Sequence, residues 1–373
     1  MRIALFSGNY NYLREGANMA LNRLVRYLED SGCTVRVYSP VTATPAFEPA
    51  GTLIPVASVP LPVRSEFRLA LGLPRAIRQD LRAFAPDLVH LSTPDILGTR
   101  AQTFALGLGV PVVASQHTRF ETYLAYYRLE ALRPLLERHL RRFYRRCDHV
   151  LVPTAALAED MAHLRGDRRV SVWSRGIDTA LFHPGRRDMD WRRALGIADD
   201  ETVALFFGRL VLEKGIATYV DTVARLTRAG HKVRALAIGE GPARALFADL
   251  PGAVLTGHLD GEPLARAVAS ADLLIHPSTT EAFGNVVTEA MACGLVPVCA
   301  EAQSARAIVT PSHDGLICPA GDAAAFADAT AALITDPPRR AAMAQAALAT
   351  SRRYTWDAAS HSVLEAYRSL LAR

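Results

Sequence analysis

Asp272–Val298, DLLIHPSTTEAFGNVVTEAMACGLVPV, is the stretch that decides the fold. DLLIHPS reads as a short apolar strand ending in a turn, and TEAFGNVVTEAMACG as a loop entering a helix near Asn285. LVPV then starts another buried strand. Strand, glycine-bearing loop, helix and strand in succession are the repeating unit of a parallel sheet. Glu281 falls on the loop and Glu289 on the helix's second turn, with Phe283-Gly284-Asn285 between them. The N–H groups of a first helical turn lack internal partners and carry partial positive charge, which suits hydroxyl or phosphate oxygens. Gly284 removes a side chain where a ligand would have to come close. The rival reading is two solvated glutamates on an amphipathic helix, since surface glutamate is ordinary. The surrounding sequence weighs against that rival.

Working outward, the same unit recurs on both sides. RIALFS (2–7), TVRVYSP (34–40), LVHLS (88–92), VPVVASQHT (110–118) and VLVPTAA (150–156) read as strands of a first half. VALFFGRL (203–210), KVRALAIGEGP (232–242), AVLTGHLD (253–260) and LVPVCAE (295–301) read as strands of a second. Helices are expected after Gly16, ending at Gly32, and over GIATYVDTVARLTRAG. The end, from AAFADATAALI onward, is expected to be helical throughout. SVWSRGIDTALFHPGRRDMDWRRALGI is rich in Gly, Pro and charge, which places a linker near 178–195. The expected organisation is a Rossmann-like domain over 1–180, a second over 181–354, and a C-terminal helix over 355–373 crossing back to the first. Two doubly wound α/β halves facing across a cleft would bind ligand at the carboxyl ends of their strands.

Bulk properties narrow the class. A chain of 373 residues suits two domains. Half the residues are apolar and 21% are charged, as in a globular protein. The formal charge is +5, carried mainly by arginines clustered in the first half. The five cysteines, Cys33, Cys147, Cys293, Cys299 and Cys318, form no CxxC pair, so they read as small buried residues of a reducing compartment. MRIALFSGNY lacks the pattern of a signal peptide. No run reaches the ~18 apolar residues of a membrane span. The expectation is a cytoplasmic protein, soluble or peripheral on the cytoplasmic face of a membrane.

Several residues stand where chemistry is done. Arg209 and Lys214 in GRLVLEKG leave a strand end and enter a helix, a placing that suits a diphosphate clamp. Two solvated cations are the rival. His117 ends a strand and would point into a crevice, or serve as a structural histidine. Gly8 and Gly16 bracket the first loop, but GNYNYLREGA is not GxGxxG. Gly239-Glu240-Gly241 is a lone GxG, which signals little beyond a turn. Asp188-Met189-Asp190 sits among arginines without the converging oxygen ligands a metal needs, so no metal is expected. Arginines and aromatics interleave over 119–149, with Tyr123, Tyr127, Arg141, Arg142, Arg145 and Arg146, and earlier over Arg64–Arg82 with Arg68. Such a helix suits an anionic membrane or nucleic acid, or is a solvated face with its leucines in the core.

Glu281-x-Phe283-Gly284 with Glu289, the GRLVLEKG segment, His117-Thr118 and two doubly wound halves together resemble glycosyltransferase family 4, over essentially the whole chain. HTRFETYLAYY, LPVRSEFRLAL and VWSRGID resemble its lipid-acceptor branch: mannosyltransferases on glucuronosyl diacylglycerol, phosphatidylinositol mannosyltransferases and sulfoquinovosyl diacylglycerol synthases. The resemblance implies the GT-B fold and retaining, metal-independent transfer from a nucleotide-diphosphate sugar. GDP-mannose, UDP-glucose, UDP-glucuronate and UDP-sulfoquinovose are the candidate donors. Diacylglycerol, a glycosyl diacylglycerol and a ceramide are the candidate acceptors. It also implies roles. Arg209 and Lys214 would hold the diphosphate, and Glu289 the ribose hydroxyls. Glu281 and the N–H groups of Phe283, Gly284 and Asn285 would hold the sugar, with His117 over it near the reacting carbon. Gly16 would admit the diphosphate to the N-terminal loop, where Ala17 replaces a glycine common among relatives. Arg68, Tyr123, Tyr127, Arg141, Arg142, Arg145 and Arg146 would face acceptor and membrane. Neither a cofactor nor an obligate protein partner is implied, and nucleic acid is not. Three competing readings remain at this level. One is the same transfer to a soluble or polysaccharide acceptor. Another is a nicotinamide-dependent oxidoreductase, disfavoured because no GxGxxG is present. The third is a nucleic-acid-binding protein using the basic helix, which would need a continuous basic groove and would leave the glutamate motif unexplained.

Overall fold

The computed structural model describes residues 1–13, 16–61, 66–117 and 130–372. Arg64, Thr118, Tyr123, Tyr127 and Arg128 lie outside the described residues. The chain divides into two compact units, 1–175 with 356–373, and 176–355.

The first unit runs β1 (Arg2–Phe6), α1 (Gly16–Asp30), β2 (Thr34–Ser39), β3 (Thr52–Pro55), β4 (Ser58–Pro60), β5 (Arg68–Ala70) and α2 (Arg75–Phe84). It continues β6 (Leu88–Leu91), α3 (Ile96–Gly107), β7 (Val112–Ser115), α4 (Arg133–Arg145), β8 (His149–Val152), α5 (Ala155–Arg165) and β9 (Val170–Val172). Seven strands form one parallel sheet in the order β3-β2-β1-β6-β7-β8-β9, with β4-β5 an antiparallel pair beside it. Strands β1, β6 and β7 are mostly apolar and almost wholly buried, as expected where helices cover both faces of a parallel sheet. One face packs α2–α5 through Ile77, Leu81, Leu97, Phe143 and Tyr144.

The second unit runs α6 (Met189–Ala194), β10 (Thr202–Phe207), α7 (Ile216–Arg228), β11 (Val233–Ile238), β12 (Val254–Gly257), α8 (Gly261–Ala269), β13 (Leu273–His276) and α9 (Asn285–Ala292). Then come β14 (Val296–Ala300), α10 (Gln303–Ile308), β15 (Leu316–Cys318), α11 (Ala323–Ile334) and α12 (Pro337–Ser351). Its six strands order as β12-β11-β10-β13-β14-β15, all parallel. Strand order reverses between β10 and β13, and a doubly wound sheet opens its binding crevice at such a point.

The last helix, α13 (Trp356–Leu371), belongs to the first unit. It covers the face opposite α2–α5, where Val363, Leu364 and Tyr367 join Leu21, Leu24 and Val35. Arg23 lies 5.0 Å over the Trp356 ring and Tyr27 meets His361 at 3.1 Å. The C-terminal stretch is therefore not one helix. Asp336 accepts the Arg339 N–H and starts α12, and a break at 352–355 precedes α13.

The stretch expected as a linker, 178–195, is built into the second unit. Asp188 caps α6 by accepting the Trp191 N–H at 2.8 Å, and Asp190 pairs with Arg193 at 2.7 Å. Arg187 and Arg192 both pair with Asp272, at 2.6 and 3.0 Å. Its charges are thus spent holding the segment to the sheet, a use that composition does not reveal. The strands β3, β9 and β15, three or four residues each, also escaped the sequence reading, being too short to show a period.

Deleting 356–373 should destabilise the protein severely. Each buried Val, Leu or aromatic side chain contributes about 1.5–3 kcal/mol, and α13 carries several, against a net stability of about 5–15 kcal/mol. A truncated chain that melts at the full-length temperature would contradict this role.

Candidate active site

In the second unit the loops after β10 and β13 emerge side by side, because Ala204 and Leu205 pair with Leu273 and Leu274. The first loop carries Gly208-Arg209-Leu210, then a tight turn at Leu212–Lys214 that enters α7 through Gly215. Gly215 has φ +73°, and a Cβ there would lie 2.6 Å from the Pro277 carbonyl oxygen. Only glycine permits this approach, which brings Lys214 against the loop after β13. The Lys214 ammonium donates to Glu281 Oε1, and Thr280 Oγ1 donates to the Glu213 carbonyl at 3.5 Å.

The Lys214–Glu281 pair is largely buried, with 14% and 21% of the side chains exposed. Burial alone would raise the Glu281 carboxyl, but Lys214, His276 and Arg209 outweigh it and hold the carboxyl below its usual range. His276, at the end of β13, is 5% exposed, and burial holds its imidazole down to about 4. Its Nε2 has no partner among the described residues, nor has Asn285 Oδ1, also buried. Arg209 is exposed and makes no ion pair among the described residues.

Helix α9 begins at Asn285, as read from sequence, with Gly284 as its cap and no side-chain cap bond. Among the described residues nothing accepts from the N–H groups of Phe283, Gly284 and Asn285. The Phe283 ring is in the core, edge-on to Tyr354 at 5.6 Å, so only its main chain faces outward. Glu289 is half-buried on α9 and raises the Cys293 thiol after burial has done so. The sequence reading undervalued the GxG after β11. A Cβ on Gly239, where φ is +138°, would lie 2.0 Å from the Gly208 carbonyl oxygen. Leu210 N–H donates to the Glu240 carbonyl at 2.8 Å, so this turn is the floor on which the Arg209 loop rests.

In the first unit His117 follows β7, as expected. Its Nε2 lies 2.8 Å from Ser115 Oγ and its Nδ1 2.9 Å from Arg175 Nη2. The ring is edge-on to Trp173 at 5.2 Å. Ser115 Oγ is also 2.7 Å from Nε2 of His90, whose Nδ1 is 2.5 Å from Tyr367 Oη on α13. Burial, then Arg175, then His90 push His117 well below an ordinary imidazole. Arg175, His90 and Tyr367 were not recognised as site neighbours from sequence; they lie 58, 27 and 250 residues from His117, and only the sheet order joins them.

The remaining candidates divide. Gly16 is the first residue of α1 and is exposed. Arg68 ties the β4–β5 hairpin through Ser58 Oγ and O at 2.9 and 3.0 Å. Arg141 and Arg142 are exposed on α4. Arg145 donates to the Arg165 carbonyl at 2.8 Å and Arg146 to Thr103 Oγ1 at 3.2 Å, so both are partly tethered. Among the described residues no group of His, Cys, Asp and Glu is arranged to hold a metal ion.

Comparison with known proteins agrees with this geometry. The model for Glycosyltransferase Family 4 matches residues 14–181, and that for Glycosyl transferases group 1 matches residues 188–350. A sulfoquinovosyl transferase of Arabidopsis thaliana is 30% identical over 97% of this chain and 72% of its own. A GDP-mannose-dependent alpha-mannosyltransferase of Mycolicibacterium smegmatis is 31% identical over 100% of this chain and 98% of its own. An alpha-monoglucosyldiacylglycerol synthase of Acholeplasma laidlawii is 26% identical over 79% of each chain. Among solved structures, Anabaena HepE in complex with UDP-glucose superposes with a TM-score of 0.76 at 20% identity, covering 99% of this chain and 100% of its own. With two Rossmann-like parallel sheets and these sequence matches, the chain belongs to glycosyltransferase family 4 and is a hexosyltransferase of the GT-B fold.

Proposed function

We propose that this chain is a retaining glycosyltransferase that moves a hexose from a nucleotide-diphosphate sugar to a lipid acceptor at an anionic membrane surface. The observation that carries the donor half is the buried Lys214–Glu281 pair at the β10/β13 switch point, beside the open N–H groups of Phe283–Asn285. Lys214 and Arg209 meet the charge that builds on the leaving diphosphate, and no metal is called on. Glu281 and the N–H groups at the start of α9 hold the sugar's hydroxyls, and Glu289 the ribose. His117 stands over the sugar, and the leaving phosphate takes the acceptor's proton on the same face. UDP-glucose in the HepE structure and GDP-mannose in the M. smegmatis relative's name mark the two donor classes to test.

The acceptor half is supported by the outer surface of α4. Leu132, just before it, and Leu135 on it are 50% and 68% exposed, followed by exposed Arg138, Arg141 and Arg142. Its one glutamate, Glu137, is taken by Arg133 at 2.9 Å. Thr103, which receives Arg146, also lines an open groove of about 570 Å3 with Leu71, Arg78, Arg82, Arg100 and Phe104. Exposed leucines among arginines suit a bilayer interface, where each basic residue adds ~1 kcal/mol. Among the described residues no helix is long and apolar enough to cross a membrane. The diacylglycerol product named for the A. laidlawii relative is of the acceptor class proposed here.

Glu281→Ala and Lys214→Ala should each cut transfer by about 10²–10³-fold in a radiolabelled-sugar assay while leaving a folded protein. The same assay should be indifferent to EDTA. Near wild-type turnover in either variant, or a rate restored only by Mg²⁺ or Mn²⁺, would sink these assignments. Because the Glu281 carboxyl is lowered, its pairing is present above the ordinary value of about 4.3 and is lost only as pH falls through the lowered one.

Replacing Arg141, Arg142, Arg145 and Arg146 with glutamine should weaken sedimentation with anionic liposomes and slow transfer to lipid, with nucleotide-sugar affinity unchanged. High salt should reproduce the effect on the wild type by screening. Wild-type liposome binding by this variant, or equal activity on a soluble acceptor, would return the enzyme to the soluble-acceptor class.

A further inference from the structure

The polar chain around His117 has a direction. A guanidinium only donates, so Arg175 Nη2–H must give its hydrogen bond to His117 Nδ1. A neutral His117 then carries its proton on Nε2 and donates to Ser115 Oγ. Ser115 has one proton, which it gives to His90 Nε2. His90 is left with its proton on Nδ1, donating to Tyr367 Oη. One fixed donor thereby sets two tautomers and links the strand end of β7 to α13.

We propose that Arg175 is a positioning residue, holding His117 as a neutral ring with Nδ1 occupied, Nε2 protonated and its plane fixed. The proposal rests on the reading that His117 stands at the reacting carbon. Three observations favour it over a packing role. Arg175 is 4% exposed, and among the described residues no carboxylate neutralises it. Burying an unpaired guanidinium is costly, and a neutral amide could supply the same single donor. Arg175 is itself pinned, donating to the Trp173 and Ser174 carbonyls at 3.2 and 3.3 Å with its guanidinium 4.9 Å over the Trp173 ring, against which His117 also rests. What the charge adds is an electrostatic bar to a second proton. Among the described residues, the charged or titratable groups acting on His117 are Arg175 and His90, and both oppose protonation. His90 is wholly buried and stays neutral as well. Protonated His117 would need to donate from Nδ1 straight at Arg175, so it would have to leave its place. At a centre where positive charge develops on the sugar, a ring that cannot become a cation adds no repulsion.

The test uses full-length enzyme with ring-¹⁵N histidine, reading each tautomer by long-range ¹H–¹⁵N correlation, with His117→Gln and His90→Gln for assignment. In the wild type His117 should be the Nε2–H tautomer, His90 the Nδ1–H tautomer, and neither should protonate across about pH 5–8, where an ordinary histidine titrates. In Arg175→Met, His117 should exchange between tautomers and titrate. Its kcat should fall on the order of 10–100-fold and gain an acid limb, with the donor KM little changed. Arg175→Lys, which restores the charge, should recover part of the loss. A wild-type His117 found as Nδ1–H or protonated overturns the proposal even if Arg175→Met fails to fold. So does a folded Arg175→Met with wild-type spectra, or with altered spectra and unaltered kcat. In that last case His117→Ala locates the fault: full turnover there means that His117 is not at the reacting carbon, and lost turnover means that its tautomer does not matter.

Discussion

The site in the second unit depends on one ion pair in poor solvent, Lys214 with Glu281. Neither side chain is free to find the other by chance. Gly215 lets the entry to α7 lie against the Pro277 carbonyl, and the β10–β13 pairing sets the two loops abreast. Breaking a buried pair by removing one partner leaves a charge without compensation and typically costs about 3–5 kcal/mol. The pair is therefore poised. Each charge is held in place by the other, and in the proposed function a ligand takes over part of the bonding, a diphosphate oxygen at the ammonium and a hydroxyl at the carboxylate. Preorganised charge of this kind needs no rearrangement when the leaving group becomes negative.

His117 in the first unit is held by the opposite strategy. There, among the described residues, the polar groups are neutral apart from Arg175, and order comes from hydrogen-bond direction instead of charge balance. The chain His117–Ser115–His90–Tyr367 ends on α13, the last helix of the sequence. That helix is both a cover for β1 and β6 and the terminal link of the chain behind His117. Stability and site geometry are thus coupled through a single element.

The sheet architecture was legible because buried parallel strands leave apolar runs between glycine-marked turns, as in RIALF, TVALFF and DLLIH. The start of α9 at Asn285 and the place of His117 at a strand end followed from the same pattern. The pairing of Lys214 with Glu281 was not legible, since 67 residues separate them and only strand order makes them neighbours. Gly239 looked like an ordinary turn glycine because sequence does not show the Gly208 carbonyl beneath it. Composition misled at 178–195. Arginines that look solvated are bonded to Asp272 and Asp190, and the acidic triplet Asp188–Asp190 is a helix cap and a salt bridge. The bonds of Arg68 to Ser58 were likewise not visible in the sequence.

In the proposed function Lys214 binds the diphosphate while Glu281 binds the sugar, each through its own end of one pair. Calorimetric titration of the wild type, Lys214→Met and Glu281→Gln with GDP, UDP, GDP-mannose and UDP-glucose tests it most directly. Lys214→Met should lose affinity for the bare nucleotide and the nucleotide sugar alike. Glu281→Gln should keep the nucleotide's affinity and lose only the increment that the sugar adds. Two variants that bind both ligand classes as the wild type does, or a Glu281→Gln that loses the bare nucleotide while keeping the sugar's increment, would contradict the assignment.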